Sequence, residues 1–178
     1  ESFRLLGLDY VSLCFDVNEE TLPAAVAGLK TCGIRGFNLT MPNKNKIVEL
    51  LDELSPEAQL IGAVNTVLND NGKLIGYNTD GYGFMQSVRD AGHDITGKNI
   101  TVMGVGGASM AICAQSALDG AASVHIFARR TSRYWNRTQK FAENLSAKTG
   151  CQVCLFDNDD HTALRDSIAQ SYLLINAT

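Results

Sequence analysis

A lysine and an aspartate stand where predicted strands run into helices, and together they could exchange a proton with a ligand. Lys44 follows a predicted strand over residues 34–40 and lies at the start of a predicted helix over residues 42–54. Asp80 directly precedes a predicted helix over residues 81–91. Open α/β sheets bind ligands beyond the carboxyl ends of their strands. A Lys and an Asp across such a cleft can pass a proton to and from a hydroxyl group.

The spacing of these residues alone also allows a simpler interpretation. Lys44 can be a solvated helix residue, and Asp80 can be the N-cap of the following helix. Thr40 can hydrogen-bond a hydroxyl group, and Asn65 falls in the run Gly62-Ala63-Val64-Asn65-Thr66. Taken without further context, these residues favour the simpler interpretation.

A glycine-rich turn predicts a dinucleotide site. The run Gly104-Val105-Gly106-Gly107-Ala108-Ser109 follows one predicted strand and opens a predicted helix. Glycines let the backbone approach a pyrophosphate, and the helix N-terminus offers free N–H groups to the anion. Ser109 stands where the usual pattern has a third glycine. A purely structural turn therefore stays the alternative.

The end of the next predicted strand bears on the choice between NAD and NADP. Domains that select NAD normally place an Asp or Glu there, which hydrogen-bonds the ribose 2′-OH. This sequence has Ala128-Arg129-Arg130-Thr131 instead. Guanidinium groups can bind a 2′-phosphate, which a carboxylate would repel. The arginines favour NADP, with NAD as the alternative because strand-end arginines also line NAD sites.

The elements that must position these groups alternate between strands and helices. In the first half, we predict a strand over residues 10–17 and a helix over residues 22–30, followed by the strand over residues 34–40 and the helix over residues 42–54. An Asn-Gly turn then joins two further strands, over residues 63–68 and 74–77. In the second half, strands are predicted over residues 99–103, 123–127, 152–156 and 172–175, and helices over residues 108–118, 135–148 and 164–169.

This alternation requires parallel strands joined by crossover helices. The prediction is an α/β fold with two α/β domains, the second a Rossmann-like doubly wound parallel sheet. We place a substrate-binding and catalytic domain at residues 1–82 and an NAD(P)-binding domain at residues 83–178.

Composition excludes several classes of function. With 45% hydrophobic and 19% charged residues, the 178-residue chain can bury a core. A net charge of −4 argues against a sequence-independent nucleic-acid binder. No run of 18 apolar residues predicts a membrane span. One basic cluster suits a small phosphorylated ligand, and it contains Arg129, Arg130, Arg133, Arg137 and Lys140.

The cysteines predict no metal site. There are five, widely scattered along the chain. Cys151 and Cys154 lie three apart in a predicted strand, where such positions point to opposite faces. No second Cys or His pair has ligand spacing, so we expect free thiols and no bound metal.

Five motifs of this sequence closely resemble those of the shikimate dehydrogenase family and occur in the same order. The resemblance covers roughly residues 33–178. Asn43-Lys44 and the doubled Arg129-Arg130 look closest to the quinate/shikimate dehydrogenase branch of the family. The motifs are Asn38-Leu39-Thr40-Met41-Pro42-Asn43-Lys44, Ile61-Gly62-Ala63-Val64-Asn65-Thr66, Asn78-Thr79-Asp80-Gly81, Gly104-Val105-Gly106-Gly107-Ala108-Ser109 and Asn176-Ala177-Thr178.

The resemblance implies a cytoplasmic oxidoreductase of aromatic amino acid biosynthesis, monomeric or homodimeric, with a small-molecule substrate and no metal. Its reaction would be the NAD(P)-dependent reversible oxidation of shikimate, and also of quinate, to the 3-dehydro acid by hydride transfer. Lys44 and Asp80 would be catalytic, and these two would bind the substrate together with Thr40 and Asn65. The cofactor would be bound by Gly104, Gly106, Gly107, Ala108, Ser109, Arg129, Arg130, Thr131 and Thr178.

Three departures from the family pattern affect these expectations. The family's N-terminal Ser-x-Ser segment and the region after Asn-Ala-Thr are not found, so we expect the first domain to be incomplete N-terminally and the second C-terminally. Ala128 replaces the usual Asn, and Thr131 stands where the NAD-tolerant branch can carry Asp. The alternative function is a non-catalytic shikimate or quinate sensor on the same scaffold. Lys44 and Asp80 count against it, because a sensor needs no proton pair.

Overall fold

Two four-stranded sheets organise the chain, and a computed structural model describes them over residues 2–178. The first sheet is mixed, with spatial order β1-β3-β4-β2, and consists of β1 (Gly36–Asn38), β2 (Glu53–Leu54), β3 (Thr66–Asp70) and β4 (Lys73–Tyr77). The second is entirely parallel, with order β7-β6-β5-β8, and consists of β5 (Asn99–Met103), β6 (Ser123–Ala128), β7 (Gln152–Asp157) and β8 (Leu173–Asn176).

The helices connect and cover these sheets. They are α1 (Ser2–Leu5), α2 (Leu22–Thr31), α3 (Asn43–Lys46), α4 (Pro56–Ile61), α5 (Asp80–Asp90), α6 (Gly107–Leu118), α7 (Trp135–Thr149) and α8 (His161–Gln170). The predicted fold class, two α/β domains with a Rossmann-like second domain, is confirmed. The predicted boundary between residues 82 and 83 falls inside α5, and its position stays a prediction. Within residues 2–178, no helix combines the length and apolar character needed to cross a membrane.

The second sheet follows the sequence prediction closely. Its four strands and the helices α6, α7 and α8 lie within three residues of the predicted bounds. Strands of a parallel sheet covered on both faces are apolar along their whole length. Ile100, Val102, Val124 and Ile126 are accordingly fully buried. The β3–β4 hairpin was also predicted correctly, because Asn71 and Gly72 adopt the positive φ angles that its turn requires.

The predicted strand over residues 10–17 is wrong. This segment has no strand partner among the described residues. Its alternating apolar side chains lie in solvent, with Val11, Leu13 and Phe15 exposed by 85%, 69% and 65%. Alternation indicates which side chains share a face, but a strand also needs a backbone partner.

The predicted helix over residues 42–54 is wrong in its second half. After α3 the chain narrows to a 3-10 helix (Ile47–Leu50) and then enters β2, which pairs in parallel with β4. The sequence prediction also missed α4. Ser55 caps this helix by accepting the N–H of Ala58, and Pro56 follows at its first position. That Ser-Pro pair is a recognisable start signal.

Helix α5 packs closely against α6 and so joins the two halves of the chain. Gly81 allows the close approach, since an added Cβ would lie 2.2 Å from the backbone oxygen of Ala111. Helix α4 reinforces this junction, because Leu60 and Ile61 belong to the same buried cluster as α6. The packing sets the position of Asp80, the residue before Gly81.

We expect Gly81→Ala to lower the free energy of unfolding by about 1–3 kcal/mol, because the helices would have to separate. Gly83→Ala is the matched control in the same helix, since an added Cβ there meets no atom within 4 Å. That change should raise stability by about 0.5–1 kcal/mol, because alanine favours helix. Urea denaturation measures both variants, and equal stabilities would contradict the close approach.

A buried polar network joins α8 to the second sheet. Nδ1 of His125 lies 2.9 Å from Oγ of Ser167, and the ring packs edge-on against Phe156. Oγ of Ser171 donates to the carbonyl of Ser167 at 2.8 Å and also lies 2.6 Å from Oγ1 of Thr101. Burial lowers the pKa of His125 below its ordinary value of 6.5.

The depressed pKa of His125 predicts a loss of stability in acid. As the pH falls below 6.5, the unfolded chain binds a proton at this histidine before the folded chain does. Stability is therefore retained above that pH and declines as the pH falls towards the lower folded-state pKa. Unfolding free energies at pH 7.5 and 5.5 measure the effect. His125→Gln should flatten the dependence, and an unchanged slope in that variant would refute the assignment.

Candidate active site

Lys44 and Asp80 form an ion pair. Nζ of Lys44 lies 2.7 Å from Oδ2 of Asp80, and their side chains are 23% and 38% exposed. Lys44 lies in α3, and its carbonyl accepts the backbone N–H of Val64 at 2.8 Å. Asp80 is the first residue of α5. The two residues predicted to exchange protons are thus in contact, while their catalytic role stays a prediction.

Asn65 holds the carboxylate of Asp80 in place. Its Nδ2 donates to Oδ1 of Asp80 at 2.8 Å and to Oγ1 of Thr79 at 3.0 Å. Its Oδ1 accepts the backbone N–H of Thr79 at 3.0 Å. Asp80 therefore directs one oxygen to Asn65 and the other to Lys44. Asn65 is buried beneath the pair, and its predicted contact with a substrate hydroxyl stays a prediction.

The Lys44–Asp80 pair opens into a cavity of about 310 Å³ between the two halves of the chain. One wall comes from the first half, a second from the glycine-rich loop, and a third from the start of α7. The lining residues are Met41, Lys44, Asn45, Ile61, Ala63, Asn78, Asp80, Val105, Gly106, Gly107, Ala108, Met110, Tyr134, Arg137 and Thr138. A group bound above the loop would therefore face the ion pair.

The geometry of the glycine-rich loop fits a dinucleotide. Gly104 has a φ of +113°, and an added Cβ would lie 2.6 Å from the carbonyl oxygen of Ala177, so this position requires glycine. An added Cβ on Gly106 or Gly107 would meet nothing within 4 Å, so the space above the loop is open. The first N–H groups of α6 have no partner within the helix and can bind an anion there.

Ser109 contributes to the loop rather than to the cavity wall. Its hydroxyl is buried and donates to the carbonyl of Gly104 at 2.6 Å. This bond holds the turn closed, and it accounts for a serine where a third glycine is usual. Ala108, by contrast, lines the cavity. The cofactor-binding role predicted for both residues stays a prediction.

The remaining predicted cofactor residues lie outside the loop, three after β6 and one, Thr178, beside Gly104. Arg129, Arg130 and Thr131 follow β6, are exposed and do not line the cavity. The guanidinium of Arg130 lies 5.4 Å from the ring centroid of Trp135. Thr178 lies beside Gly104 at the end of β8, and its hydroxyl donates to Oδ1 of Asn176 at 2.8 Å.

Thr40 lines a groove that adjoins the cavity of the ion pair. This wider groove is formed with residues 11–18 and α2, and Met41 lines both the groove and the cavity. The structure therefore brings together Lys44, Asp80 and the glycine loop, and it places Thr40 in the adjoining groove. Its predicted substrate contact stays a prediction.

The wall that α7 contributes to the cavity was not predicted from the sequence. Tyr134 and Arg137 line the cavity, although only a general role in a basic cluster was predicted for Arg137. The spacing of the arginines gives no signal for this wall, because Arg133 precedes α7 and shares no helix face with Arg137. Asn78 was also missed, and it accepts the N–H of Asp80 at 3.2 Å.

The cysteines lie away from the cavity. Cys113 and Cys151 are buried, and desolvation raises the pKa of the Cys113 thiol to about 12 and that of Cys151 to about 11. Both thiols therefore stay protonated at neutral pH and are poor nucleophiles. Across residues 2–178, no group of three or more His, Cys, Asp or Glu side chains could hold a metal ion.

Comparison with known sequences identifies the family of this site. Residues 1–67 match the family model for the shikimate dehydrogenase substrate binding domain. A shikimate dehydrogenase (NADP(+)) from Listeria innocua is 49% identical over 178 residues. The alignment covers 100% of this chain and 61% of that relative, so the chain spans less than two thirds of the relative's length.

Solved structures agree with the sequence comparison. Shikimate 5-dehydrogenase from Listeria monocytogenes, in complex with shikimate and NAD, has a TM-score of 0.96 and 48% identity, covering 99% of this chain and 61% of that one. Ligand-free 5-ketofructose reductase of Gluconobacter sp. strain CHM43 has a TM-score of 0.84 and 34% identity, with the same coverage. The finer placement of this chain in the quinate/shikimate dehydrogenase branch stays a prediction. The chain belongs to the shikimate dehydrogenase family.

Proposed function

We propose that this chain functions in the NAD(P)-dependent, reversible oxidation of shikimate to 3-dehydroshikimate, with quinate and 3-dehydroquinate as a second pair. The observation that carries the proposal is the 2.7 Å contact between Lys44 and Asp80 in the cavity that also contains Gly106 and Gly107. It is supported by the Listeria monocytogenes relative, whose structure contains shikimate and NAD.

The ion pair supplies the proton exchange that this oxidation needs. When a ring alcohol is oxidised, its carbon loses a hydride and its hydroxyl loses a proton. Lys44 and Asp80 receive that proton, and they return it during reduction of the ketone. Asn65 keeps one oxygen of Asp80 occupied, so the other stays directed at Lys44. A bound nicotinamide supplies the hydride acceptor.

We expect Lys44→Ala and Asp80→Asn to reduce turnover by about 10²–10⁴-fold, because each removes half of the proton pair. Binding of shikimate and NADP should largely survive. Lys46→Ala is the matched control, since Lys46 pairs with Glu49 and does not line the cavity. Initial rates and calorimetric binding measure the difference. Binding without turnover in the unsubstituted protein would instead support the sensor.

The cofactor in this proposal is NADP, with NAD as the alternative. Arg129 and Arg130 stand at the end of β6, where a 2′-phosphate is bound in domains of this kind. Within residues 2–178 neither arginine forms an ion pair, so both can engage a phosphate. The Listeria innocua relative is named for NADP(+), which supports the same choice.

Arg129→Ala and Arg130→Ala should each weaken NADP binding by about ten-fold while leaving NAD binding nearly unchanged, because only NADP carries the 2′-phosphate. Arg165→Ala on α8, another exposed arginine, is the control. Dissociation constants for both dinucleotides measure the effect. An equal loss for NADP and NAD would show that these arginines bind something other than the 2′-phosphate.

A cytoplasmic location and a monomeric or homodimeric state complete the proposal. Both rest on the family resemblance. A small-molecule acid as the binding partner is supported by shikimate in the Listeria monocytogenes structure.

A further inference from the structure

The charges on the cavity wall leave one cation unbalanced. Among the described residues that line the cavity, Lys44 and Arg137 are the cations and Asp80 is the carboxylate. Lys44 and Asp80 neutralise each other through their 2.7 Å contact. The net positive charge of the cavity is therefore that of Arg137, on the wall formed by α7.

Among residues 2–178, Arg137 differs from Arg130 and Arg133 in having no side-chain partner. Arg130 lies over the ring of Trp135. Arg133 lies over Tyr134, 4.7 Å from the ring centroid, and donates to its hydroxyl at 2.6 Å. Across residues 2–178, the guanidinium of Arg137 has no hydrogen bond, ion pair or aromatic contact. Its donors are therefore available to a ligand in the cavity.

The backbone beneath Arg137 is well anchored. The next residue, Thr138, is buried, and its Oγ1 donates to the carbonyl of Tyr134 at 2.9 Å. Arg137 thus projects from the first turn of a 15-residue helix that buries Thr138, Phe141 and Leu145. A fixed helix limits the conformational freedom that the side chain loses on binding.

The glycine-rich loop lacks a charged group of its own. Neither the loop over residues 104–109 nor the rest of α6 contains a Lys, Arg, Asp or Glu. A pyrophosphate above this loop would meet backbone N–H groups and the helix dipole, which carry only partial charge. A guanidinium adds a full charge and bidentate hydrogen bonds to phosphate oxygens.

We infer that Arg137 binds the pyrophosphate of the dinucleotide, from the cavity wall formed by α7. The inference rests on the proposed function, because it requires a dinucleotide in this cavity. It assigns different phosphates to different arginines: Arg137 shares the cavity with Gly106 and Gly107, whereas Arg129 and Arg130 lie outside it at the end of β6. Arg137 would therefore contribute to the binding of both NADP and NAD.

Calorimetric titration of Arg137→Ala with NADP and with NAD tests the assignment. Both dissociation constants should rise by about ten-fold, because both dinucleotides carry the pyrophosphate. Arg137→Lys should recover part of the affinity, since it keeps the charge but loses the bidentate geometry. Lys140→Ala, three residues further along α7 and outside the cavity, should change either constant less than about two-fold.

Each other outcome overturns the inference in a distinguishable way. A loss for NADP alone would place Arg137 at the 2′-phosphate. Unchanged dissociation constants with a raised KM for shikimate would place it at the substrate carboxylate. If the unsubstituted protein binds both dinucleotides and Arg137→Ala binds them equally well, only this inference fails. If the unsubstituted protein binds neither dinucleotide, the proposed function fails with it.

Discussion

The close packing of α5 against α6 is the constraint on which the site depends. Asp80 begins α5, and Gly81 brings that helix against the backbone of Ala111 in α6. The same α6 begins at Gly107, in the loop proposed to hold the dinucleotide. One helix contact therefore sets the distance between the Lys44–Asp80 pair and the glycine-rich loop. A hydride transfer requires the reacting atoms to be held within about 0.5 Å of the productive geometry, and two rigid helices provide this better than mobile loops would.

Around that contact, the fold keeps the Lys44–Asp80 pair apart from the arginines on α7 and after β6. The Lys44–Asp80 pair is internally neutral and held by Asn65, whereas arginines without an ion-pair partner among residues 2–178 lie on α7 and after β6. The cavity itself therefore carries the charge of Arg137 apart from the neutral pair. The likeness to both a shikimate dehydrogenase and a 5-ketofructose reductase shows that one scaffold carries enzymes named for different substrates. Substrate choice must then depend on individual side chains rather than on the fold.

The local hydrophobic pattern predicted strands well where a strand is buried along its whole length. It predicted them poorly where strand formation depends on pairing with a distant segment. The strands β5 and β6 are apolar along their length because helices cover both faces, so their bounds were predictable. Residues 10–17 have the alternation of a strand but no backbone partner, and alternation carries no information about partners. Likewise, the helix predicted from residue 42 gives way to β2, because pairing with β4 outweighs the local helical preference.

The fold class, the family resemblance, the Lys44 and Asp80 candidates and the glycine loop could be predicted from the sequence, because each rests on residue types at fixed short spacings. Only the packed fold shows that Asn65 lies beneath the pair, that Thr40 lines the adjoining groove and that Arg137 reaches the cavity. These facts depend on which faces of distant elements meet. Residues 44, 80 and 137 are far apart in the chain, and only the packing of α5, α6 and α7 brings them around one space.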